Sequence, residues 1–349
     1  LLTCQIVKAN KNKFLSQLQY LSSKKAEKDE KPISTDFLIV VPTEKEEQSV
    51  ISDLMAFSED TEIITLPWWN TVPYRSCAKG ALVFGQRAGA LAKLLSRDER
   101  KVSSKKSRIF IMNQRAFLTP VPPAQYLKQF IFNLEVGQSL DTIEIAEKLT
   151  SLGYIRVSKV SVPGEFTLRG EVLDIFLPCE ENAHRIVFDF DEIEIIKTFS
   201  TENQATIESV DHITVYPSKE VIWNTELIEK LESKLKKVFA ENEQLSDTYQ
   251  IVKDNNSSTL LEKFEEFLSN LDNSGEAEGE ELLYPALFDR MYSVLDYIDD
   301  NTSVIFYDYD RLLNSKETLN REYMGLYKKA RFTDLVLSPE KILFDFETL

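Results

Sequence analysis

Two arginines, Arg169 and Arg185, lie in neighbouring segments in which apolar and polar residues alternate. Such alternation is typical of a strand with one buried face and one solvated face. Arg185 takes a solvated position, whereas Ile186, Phe188 and Phe190 take the buried ones. If the two segments bring their solvated faces together, both guanidinium groups stand on one open sheet surface. There they can offer forked N–H donors to carboxylates of a partner protein.

The carboxylates around these arginines suggest a second interpretation. Glu171 shares the solvated face of the first segment, and Asp189 and Asp191 follow Arg185. The arginines could pair with these carboxylates and only keep the sheet soluble, since exposed ion pairs contribute little to binding or stability. Residue chemistry alone leaves both interpretations open.

Few other residues could do chemistry. Two His and three Cys are too scattered for a zinc site or a disulfide framework. His184 and His212 lie in or beside predicted strands without a nucleophile nearby, and Cys179 falls in a predicted turn. No set of carboxylates stands at spacings that a rigid element would fix around a metal ion. We therefore predict no catalytic residue, no metal and no cofactor.

The predicted first strand is not followed by a nucleotide-binding loop. An NTPase needs G-x-x-x-x-G-K-S/T between that strand and a helix. We expect the strand at residues 5–7, and the chain continues KANKNKF. Without glycine the backbone cannot wrap a pyrophosphate, and no Lys-Ser/Thr pair follows to reach the terminal phosphate and magnesium. The sequence therefore predicts that nucleotide chemistry has been lost.

An aromatic segment, LPWWNTVPYR, follows the third predicted strand of the chain's first part, residues 62–66. Trp68, Trp69 and Tyr74 beside Arg75 could stack on nucleobases. The flanking prolines and the preceding strand favour a simpler interpretation, a loop that packs on its own domain.

Charge and composition exclude several classes of protein. The 349 residues include 41 Lys and Arg against 57 Asp and Glu, a net charge of −16. Such a chain is repelled by nucleic acid as a whole. It contains no run of 18 apolar residues that could span a membrane. The cysteine usage suits a reducing compartment, and we expect a cytoplasmic location.

Residues 1–127 predict a parallel, helix-covered sheet, because strands and helices alternate with short links. The expected strands are residues 5–7, 37–41, 62–66 and 108–112, and the expected helices are residues 44–57 and 82–95. Residues 128–216 predict a small α+β domain. Its links are too short for most crossovers, so we expect a mostly antiparallel sheet from residues 165–169, 171–176, 185–190, 194–199 and 212–216.

Residues 217–349 predict an acidic helical part and a return strand. Between residues 221 and 300, 19 acidic and 7 basic residues give a net charge of −12. Residues 303–307, SVIFY, are an apolar run of strand length. We expect this strand to join the sheet of the first domain, which makes the middle domain an insertion.

Several motifs along the chain resemble one family. GEFTLRGEVLDIF, a proline, and then HRIVFDFDEIEIIKTF are similar to the signature G-E-F/Y-x-x-R-G-x-x-x-D-I/L-F/L-P and the strand pair after it. This signature belongs to the UvrB-homology region of bacterial transcription-repair coupling factors. Further matches follow in order: FLIVVPTEKEE, LPWWNTVPYR, FGQRAGALAKLL, VGQSLDTIEIAEKL and LLYPALFDRMYSVLDYIDDNTSVIFYD. The resemblance covers about residues 35–310.

The resemblance implies a helicase-like α/β domain with a degenerate nucleotide loop, interrupted by an inserted domain that binds UvrA, the damage-recognition ATPase of nucleotide excision repair. The family's interface arginines fall on Arg169 and Arg185. A family aromatic falls on Asp189, so an apolar contact is lost unless Phe190 replaces it. The resemblance also implies that a C-terminal part of the full-length protein masks this face until activation.

These observations favour a non-catalytic fragment, about the first third of a coupling factor, that recruits UvrA to stalled RNA polymerase; the full-length family protein is an ATP-dependent DNA translocase. We expect the contact to involve Arg169, Arg185, Asp189 and Glu171. The alternative is a helicase-type ATPase or DNA-binding domain of a UvrB-like repair protein, in which residues before Leu1 complete the loop. A direct DNA clamp is a third hypothesis, which the negative charge opposes.

Overall fold

The computed structural model describes residues 7–9, 36–57, 61–77, 82–95, 108–241, 260–298 and 302–349. The chain divides into two compact units. Unit 1 comprises Leu1–Lys79, Arg97–Val121 and Trp223–Leu349, and unit 2 comprises Gly80–Ser96 and Pro122–Ile222. Within the described ranges, no helix is both long and apolar enough to cross a lipid bilayer.

The described strands are numbered in chain order. They are β1 (Val7–Ala9), β2 (Phe37–Val41), β3 (Glu62–Thr65), β4 (Arg108–Asn113), β5 (Phe132–Glu135), β6 (Ile155–Arg156), β7 (Glu165–Arg169), β8 (Val172–Ile175), β9 (Ala183–Asp189), β10 (Glu192–Phe199), β11 (Thr206–Val210), β12 (His212–Val215) and β13 (Ser303–Tyr307).

The described α-helices are numbered in the same way. They are α1 (Glu44–Phe57), α2 (Leu82–Leu95), α3 (Gln114–Leu118), α4 (Ala124–Lys128), α5 (Thr142–Ser151), α6 (Thr225–Glu241), α7 (Leu260–Ser274), α8 (Glu280–Leu283), α9 (Tyr309–Ala330) and α10 (Pro339–Ile342). Two short 3₁₀ helices, Tyr284–Leu287 and Val294–Tyr297, lie between α8 and β13.

Unit 1 is built on a parallel sheet with the strand order β1-β13-β2-β4-β3. All five residues of β2 are buried, as expected for a parallel strand covered on both faces. Strand β13 pairs in parallel with β1 on one side and with β2 on the other. The prediction that residues 303–307 return to the first sheet is therefore confirmed, and the middle part of the chain is inserted.

Helix α1 covers one face of this sheet. Its start follows the predicted capping box, because the Thr43 hydroxyl donates to the Glu46 carboxylate and the Glu47 amide donates to the Thr43 carbonyl at 3.0 Å. Val50 and Leu54 on its buried side join the hydrophobic core formed by the strands. This is the amphipathic helix that the sequence predicts after Thr43.

Unit 2 contains a six-stranded sheet with the order β11-β10-β9-β8-β7-β6. Every pair in it is antiparallel except β6 with β7, which confirms the expected mostly antiparallel character. One face carries the core, with Phe166, Leu173, Ile186 and Ile196 fully buried. Two details differ from the prediction: β11 was not expected, and β12 pairs with β5 in a separate two-stranded sheet.

Helix α2 belongs to unit 2, although the sequence places it with residues 1–127. Arg87 on this helix is fully buried and pairs with the buried carboxylate of Glu220. A Cβ atom added at Gly89 would lie 3.0 Å from the Pro178 carbonyl oxygen and 3.0 Å from the Tyr216 ring, so the helix approaches this unit closely. The unit boundaries after Val121 and Ile222 likewise differ from the predicted boundaries after residues 127 and 216.

Candidate functional site

Arg169 and Arg185 lie on the same face of the six-stranded sheet. Asp174 on β8 is directly opposite Thr167 on β7 and Arg185 on β9. Directly opposed residues of antiparallel strands point to the same side, and Arg169 shares that side with Thr167 because it is two residues further along β7. We call this side the arginine face. The alternation in the sequence thus predicts the placement of both arginines, while their contact with a partner stays a prediction.

A buried carboxylate lies between the two arginines. Arg185 binds Asp174 with two parallel hydrogen bonds, Nε to Oδ1 at 2.7 Å and Nη2 to Oδ2 at 2.8 Å. Arg169 Nη2 lies 3.7 Å from the same Oδ2. The Asp174 side chain is 3% exposed, against 29% for Arg185 and 60% for Arg169. Asp174 therefore holds Arg185 in a fixed orientation and leaves Arg169 largely in water.

Two more groups fix the Arg185 side chain. Its Nη2 donates to Gln204 Oε1 at 3.2 Å, and its guanidinium carbon lies 4.6 Å from the centre of the Phe199 ring. The hydrogen bond with Asp174 raises the pKa of Arg185 above its already high ordinary value, so this group stays charged. Its other terminal nitrogen, Nη1, makes no hydrogen bond within the described part of the chain. That nitrogen can donate to a partner without breaking the bonds to Asp174.

The sequence did not indicate Asp174 as the partner of the arginines. Glu171 is exposed in the turn between β7 and β8, and Asp189 is exposed at the end of β9. Neither carboxylate forms an ion pair with a described residue. The arginines do pair within their own sheet, as the second interpretation expects, but their partner is Asp174 and not Glu171, Asp189 or Asp191. The usable signal was a single carboxylate inside the apolar run VLDIF, because a buried charge needs a cationic partner.

Lys197 adds a third cation to the arginine face. It is directly opposite Arg185 on the neighbouring strand β10 and is half-buried. Sequence analysis missed this residue, because the pairing register that brings it beside Arg185 includes a bulge between Ile193 and Ile195. The face therefore carries the cations of Arg169, Arg185 and Lys197 together with the buried carboxylate of Asp174 and the carboxylates of Glu165 and Asp189.

The turn between β9 and β10 carries an exposed aromatic ring among carboxylates. Phe190 has a φ of 54°, in the left-handed region, and is 80% exposed. It borders an open depression of about 410 Å³, whose lining also includes Ser139, Asp189, Asp191, Glu192 and Glu194. We call this part of unit 2 the acidic tip. It gives the surface a negative region with an apolar centre at the end of the arginine face.

The remaining candidates from the sequence take structural positions. His184 Nδ1 lies 3.3 Å from the Thr198 hydroxyl, and the Cys179 thiol donates to the Gln86 carbonyl at 2.8 Å. His212 lies in β12, opposite Glu135 of β5. Among the described residues, no group of three or more His, Cys, Asp or Glu side chains is arranged to hold a metal ion.

The predicted nucleotide loop lies largely outside the described residues, which include only Val7–Ala9 of this region as strand β1. The carboxyl edge of the parallel sheet, where α/β folds bind nucleotides, is partly described. Glu47 is buried there and accepts a hydrogen bond from Asn113 Nδ2 at 2.9 Å. Burial raises the pKa of Glu47 to about 7. Glu46 beside it pairs with Arg311 of α9.

The aromatic loop packs inside unit 1. Trp69 and Tyr74 are buried, and the Tyr74 ring centre lies 6.2 Å from that of Tyr323 and 5.7 Å from that of Tyr327. The Arg115 guanidinium lies 5.0 Å from the Trp68 ring. These contacts support the structural interpretation of the loop, since buried ring faces cannot stack on nucleobases.

Comparisons with known proteins point to one family. Residues 132–221 match the family model of the UvrB interaction domain, a range that includes both arginines and the acidic tip. Curated relatives with the name transcription-repair-coupling factor are similar over most of this chain. That of Borreliella burgdorferi is 25% identical over 89% of the chain, that of Bacillus subtilis 27% over 85%, and that of Haemophilus influenzae 24% over 87%.

The matched region is a small part of those relatives. The chain covers 25% of the Borreliella burgdorferi protein and 24% of each of the other two. It therefore spans about a quarter of the length of the curated relatives it matches. The family model and the relatives confirm the resemblance that the motifs indicate. The residues that match the family model all lie in unit 2.

Proposed function

We propose that this chain is a non-catalytic recruitment module of a transcription-repair coupling factor, and that its arginine face binds UvrA during nucleotide excision repair. The observation that carries the proposal is the pair of arginines on one face, both directed to the buried Asp174, within the range that matches the UvrB interaction domain. This role requires no chemistry from the chain itself.

The arginine face is suited to an acidic surface. The donors that can bind a carboxylate of a partner are Nη1 of Arg185 and the exposed guanidinium of Arg169. The face also carries the carboxylates of Glu165, Asp174 and Asp189, so these donors are local features on a chain whose net charge is −16. Asp174, Gln204 and Phe199 hold Arg185 in place before binding. Such preorganisation lowers the entropic cost of forming the complex. UvrA should therefore present carboxylates to this face.

The aromatic part of the interface shifts by one residue in this proposal. The family aromatic falls on Asp189, which is exposed, and the next residue, Phe190, offers an exposed ring instead. Asp189 lies four residues from Arg185, about 13 Å along an extended strand. UvrA would then contact Phe190 with an apolar group and the surrounding acidic tip with basic groups. We propose that Asp189 and Glu171 contribute negative charge at the edge of the arginine face, where basic groups of UvrA would contact them.

We expect Arg169→Ala and Arg185→Ala each to weaken binding to purified UvrA at least tenfold, measured by calorimetric titration of the whole chain. Each substitution removes a charge-assisted hydrogen-bond donor, and truncating one partner of such a pair typically costs about 2–5 kcal/mol. Arg156→Ala is the matched control, because Arg156 is exposed and is paired with Phe166, on the opposite face of the sheet.

Wild-type affinity in both arginine variants would remove the arginine face from the interface. A comparable loss in Arg156→Ala would show a general charge effect instead. In the full-length protein we propose that a C-terminal part covers this face, so an isolated chain should bind UvrA more tightly than the full-length protein does. Saturable binding of a fluorescent ATP analogue to the chain would contradict the non-catalytic role and favour the ATPase alternative.

A further inference from the structure

Unit 1 contains a pocket that the proposed role does not use. Its volume is about 280 Å³, and it is open to solvent on one side. Helix α6, the segment 285–291 and residues near α10 form its walls. The apolar part of the lining consists mainly of Val238, Pro285, Ala286, Phe288, Met291 and Leu337. Pro285 and Leu337 are buried, so this floor is a fixed part of the core of unit 1.

Basic side chains surround this apolar floor. Lys234 donates to the carbonyl oxygens of Leu287 at 3.0 Å and Phe288 at 2.8 Å. These hydrogen bonds fix the end of the 3₁₀ helix Tyr284–Leu287. Arg290 pairs with Asp296 at 2.7 Å. Two further cations of the lining, Lys237 and Lys341, are exposed and have no ion pair with any residue that the structure describes.

The charge of this pocket contrasts with its surroundings. Residues 221–300 carry a net charge of −12, yet four cations line the pocket against one carboxylate, Asp289. Asp289 accepts a hydrogen bond from the Tyr292 hydroxyl at 2.9 Å. Lysines held at an apolar concavity are complementary to an acidic ligand that also has an apolar group.

We propose that this pocket binds an acidic peptide segment of a partner protein, with one apolar side chain on the floor and flanking carboxylates on Lys237 and Lys341. The opening to solvent suits a side chain that protrudes from a larger molecule, whereas small molecules are usually buried over 70–90% of their surface. Both terminal nitrogens of Arg290 are engaged, Nη2 with Asp296 at 2.7 Å and Nη1 with the Met291 carbonyl at 3.1 Å. The remaining cations of the pocket are lysines, which lack the fork for bidentate phosphate recognition, and this favours carboxylates.

The test is a fluorescence anisotropy titration of the whole chain with a labelled hexapeptide that has a central Leu-Phe pair and two Glu residues on each side. We expect saturable binding that weakens at least tenfold in the double variant Lys237→Glu, Lys341→Glu. Replacing the Leu-Phe pair by Ser-Ser, or the four Glu by Gln, should each abolish it. The control is Lys236→Glu, on the same helix but outside the pocket and paired with Glu232.

Three results would contradict the proposal: no binding of the hexapeptide at millimolar concentration, a loss in Lys236→Glu as large as that in the double variant, or equally tight binding of the Ser-Ser peptide. Displacement of the hexapeptide by inorganic phosphate at micromolar concentration would also overturn it, because the ligand class would then be a phosphate. The double variant should bind UvrA like the wild type, so this test and the test of the arginine face are independent.

Discussion

At the scale of single residues, Glu47 is a carboxyl group held where its charged form is costly. It is 3% exposed, and Asn113 Nδ2 at the end of strand β4 donates a hydrogen bond to its carboxyl group. Burial raises its pKa to about 7 from an ordinary value of 4.5. Between these two values the folded chain binds a proton that the unfolded chain has already lost.

The stability of unit 1 should therefore fall as the pH rises from about 4.5 to 7. We expect Glu47→Gln to remove this dependence, because the amide keeps an oxygen acceptor for Asn113 but carries no charge. This pKa shift lowers the free energy of unfolding of the wild type by about 3 kcal/mol above pH 7 and by almost nothing below pH 4.5. Urea unfolding of both proteins across this pH range measures the difference.

The control for this measurement is Asp53→Asn, an exposed carboxylate on the same helix, which should leave the pH dependence of wild type unchanged. If the free energies of unfolding of Glu47→Gln and wild type differ by the same amount at every pH from 4.5 to 8, Glu47 has an ordinary pKa in the folded chain.

Residue-level prediction from the sequence succeeded where periodicity decides. The alternation in residues 185–188 placed Arg185 on the polar side of its strand, and β9 confirms this. The prediction that Phe190 is buried was wrong: β9 ends at Asp189, and the Phe190 ring is 80% exposed in the turn that follows, at a φ of 54°. Residue-level prediction also failed for Asp174, because alternation shows which face a residue takes but not which residue of the next strand stands opposite. Lys197 was missed for the same reason, with a bulge in the register as a further obstacle.

At the scale of elements, α2 shows how a helix can be predicted correctly and assigned to the wrong neighbour. Its bounds, Leu82–Leu95, agree with the prediction. Helical spacing reveals a buried face but not the sheet against which that face packs. Arg87 inside this helix was the residue to notice, because a buried guanidinium requires a carboxylate, here Glu220 of unit 2.

We expect Arg87→Ala to destabilise unit 2 by about 3–5 kcal/mol, because it removes the guanidinium that pairs with the buried Glu220 carboxylate. The double variant Arg87→Met, Glu220→Leu should recover most of this loss, since well-packed apolar side chains often replace a buried ion pair without cost. Native-state amide hydrogen exchange of strands β7 to β10 measures both free energies of unfolding, because the three tryptophans of the chain all lie in unit 1.

The matched control is Lys236→Ala, which removes one partner of the exposed ion pair with Glu232 and should change stability by less than about 0.5 kcal/mol. If the double variant is as unstable as Arg87→Ala, the packing of the arginine stem, and not the unpaired charge, accounts for the loss.

At the scale of the whole molecule, the net charge of −16 opposes binding to nucleic acid. The described contacts agree with this expectation at the aromatic loop, because Trp69 and Tyr74 have buried rings. The return of the chain to the first sheet was also predictable, because residues 303–307 form an apolar run of the length of a buried strand. The assignment of α2 to unit 2 was not predictable, because it depends on tertiary contacts of this helix that a local sequence pattern does not encode.

We therefore expect no measurable binding of the chain to duplex DNA at physiological salt, measured by fluorescence anisotropy with a labelled duplex. Arg169 and Arg185 supply too few phosphate contacts to outweigh the repulsion, since affinity at this salt depends on the number of phosphates neutralised. Binding at micromolar concentration that decreases in Arg169→Ala would contradict this and would make the arginine face a nucleic-acid surface.

Strand β13 has a consequence for the order in which the chain is made. It lies between β1 and β2, so the ribosome must deliver Ser303–Tyr307 before these two early strands acquire the neighbour that joins them. The strands of the inserted sheet, β6 to β11, all emerge before that moment. During synthesis, the sheet that carries Arg169 and Arg185 can therefore form while unit 1 still lacks the strand that joins β1 to β2.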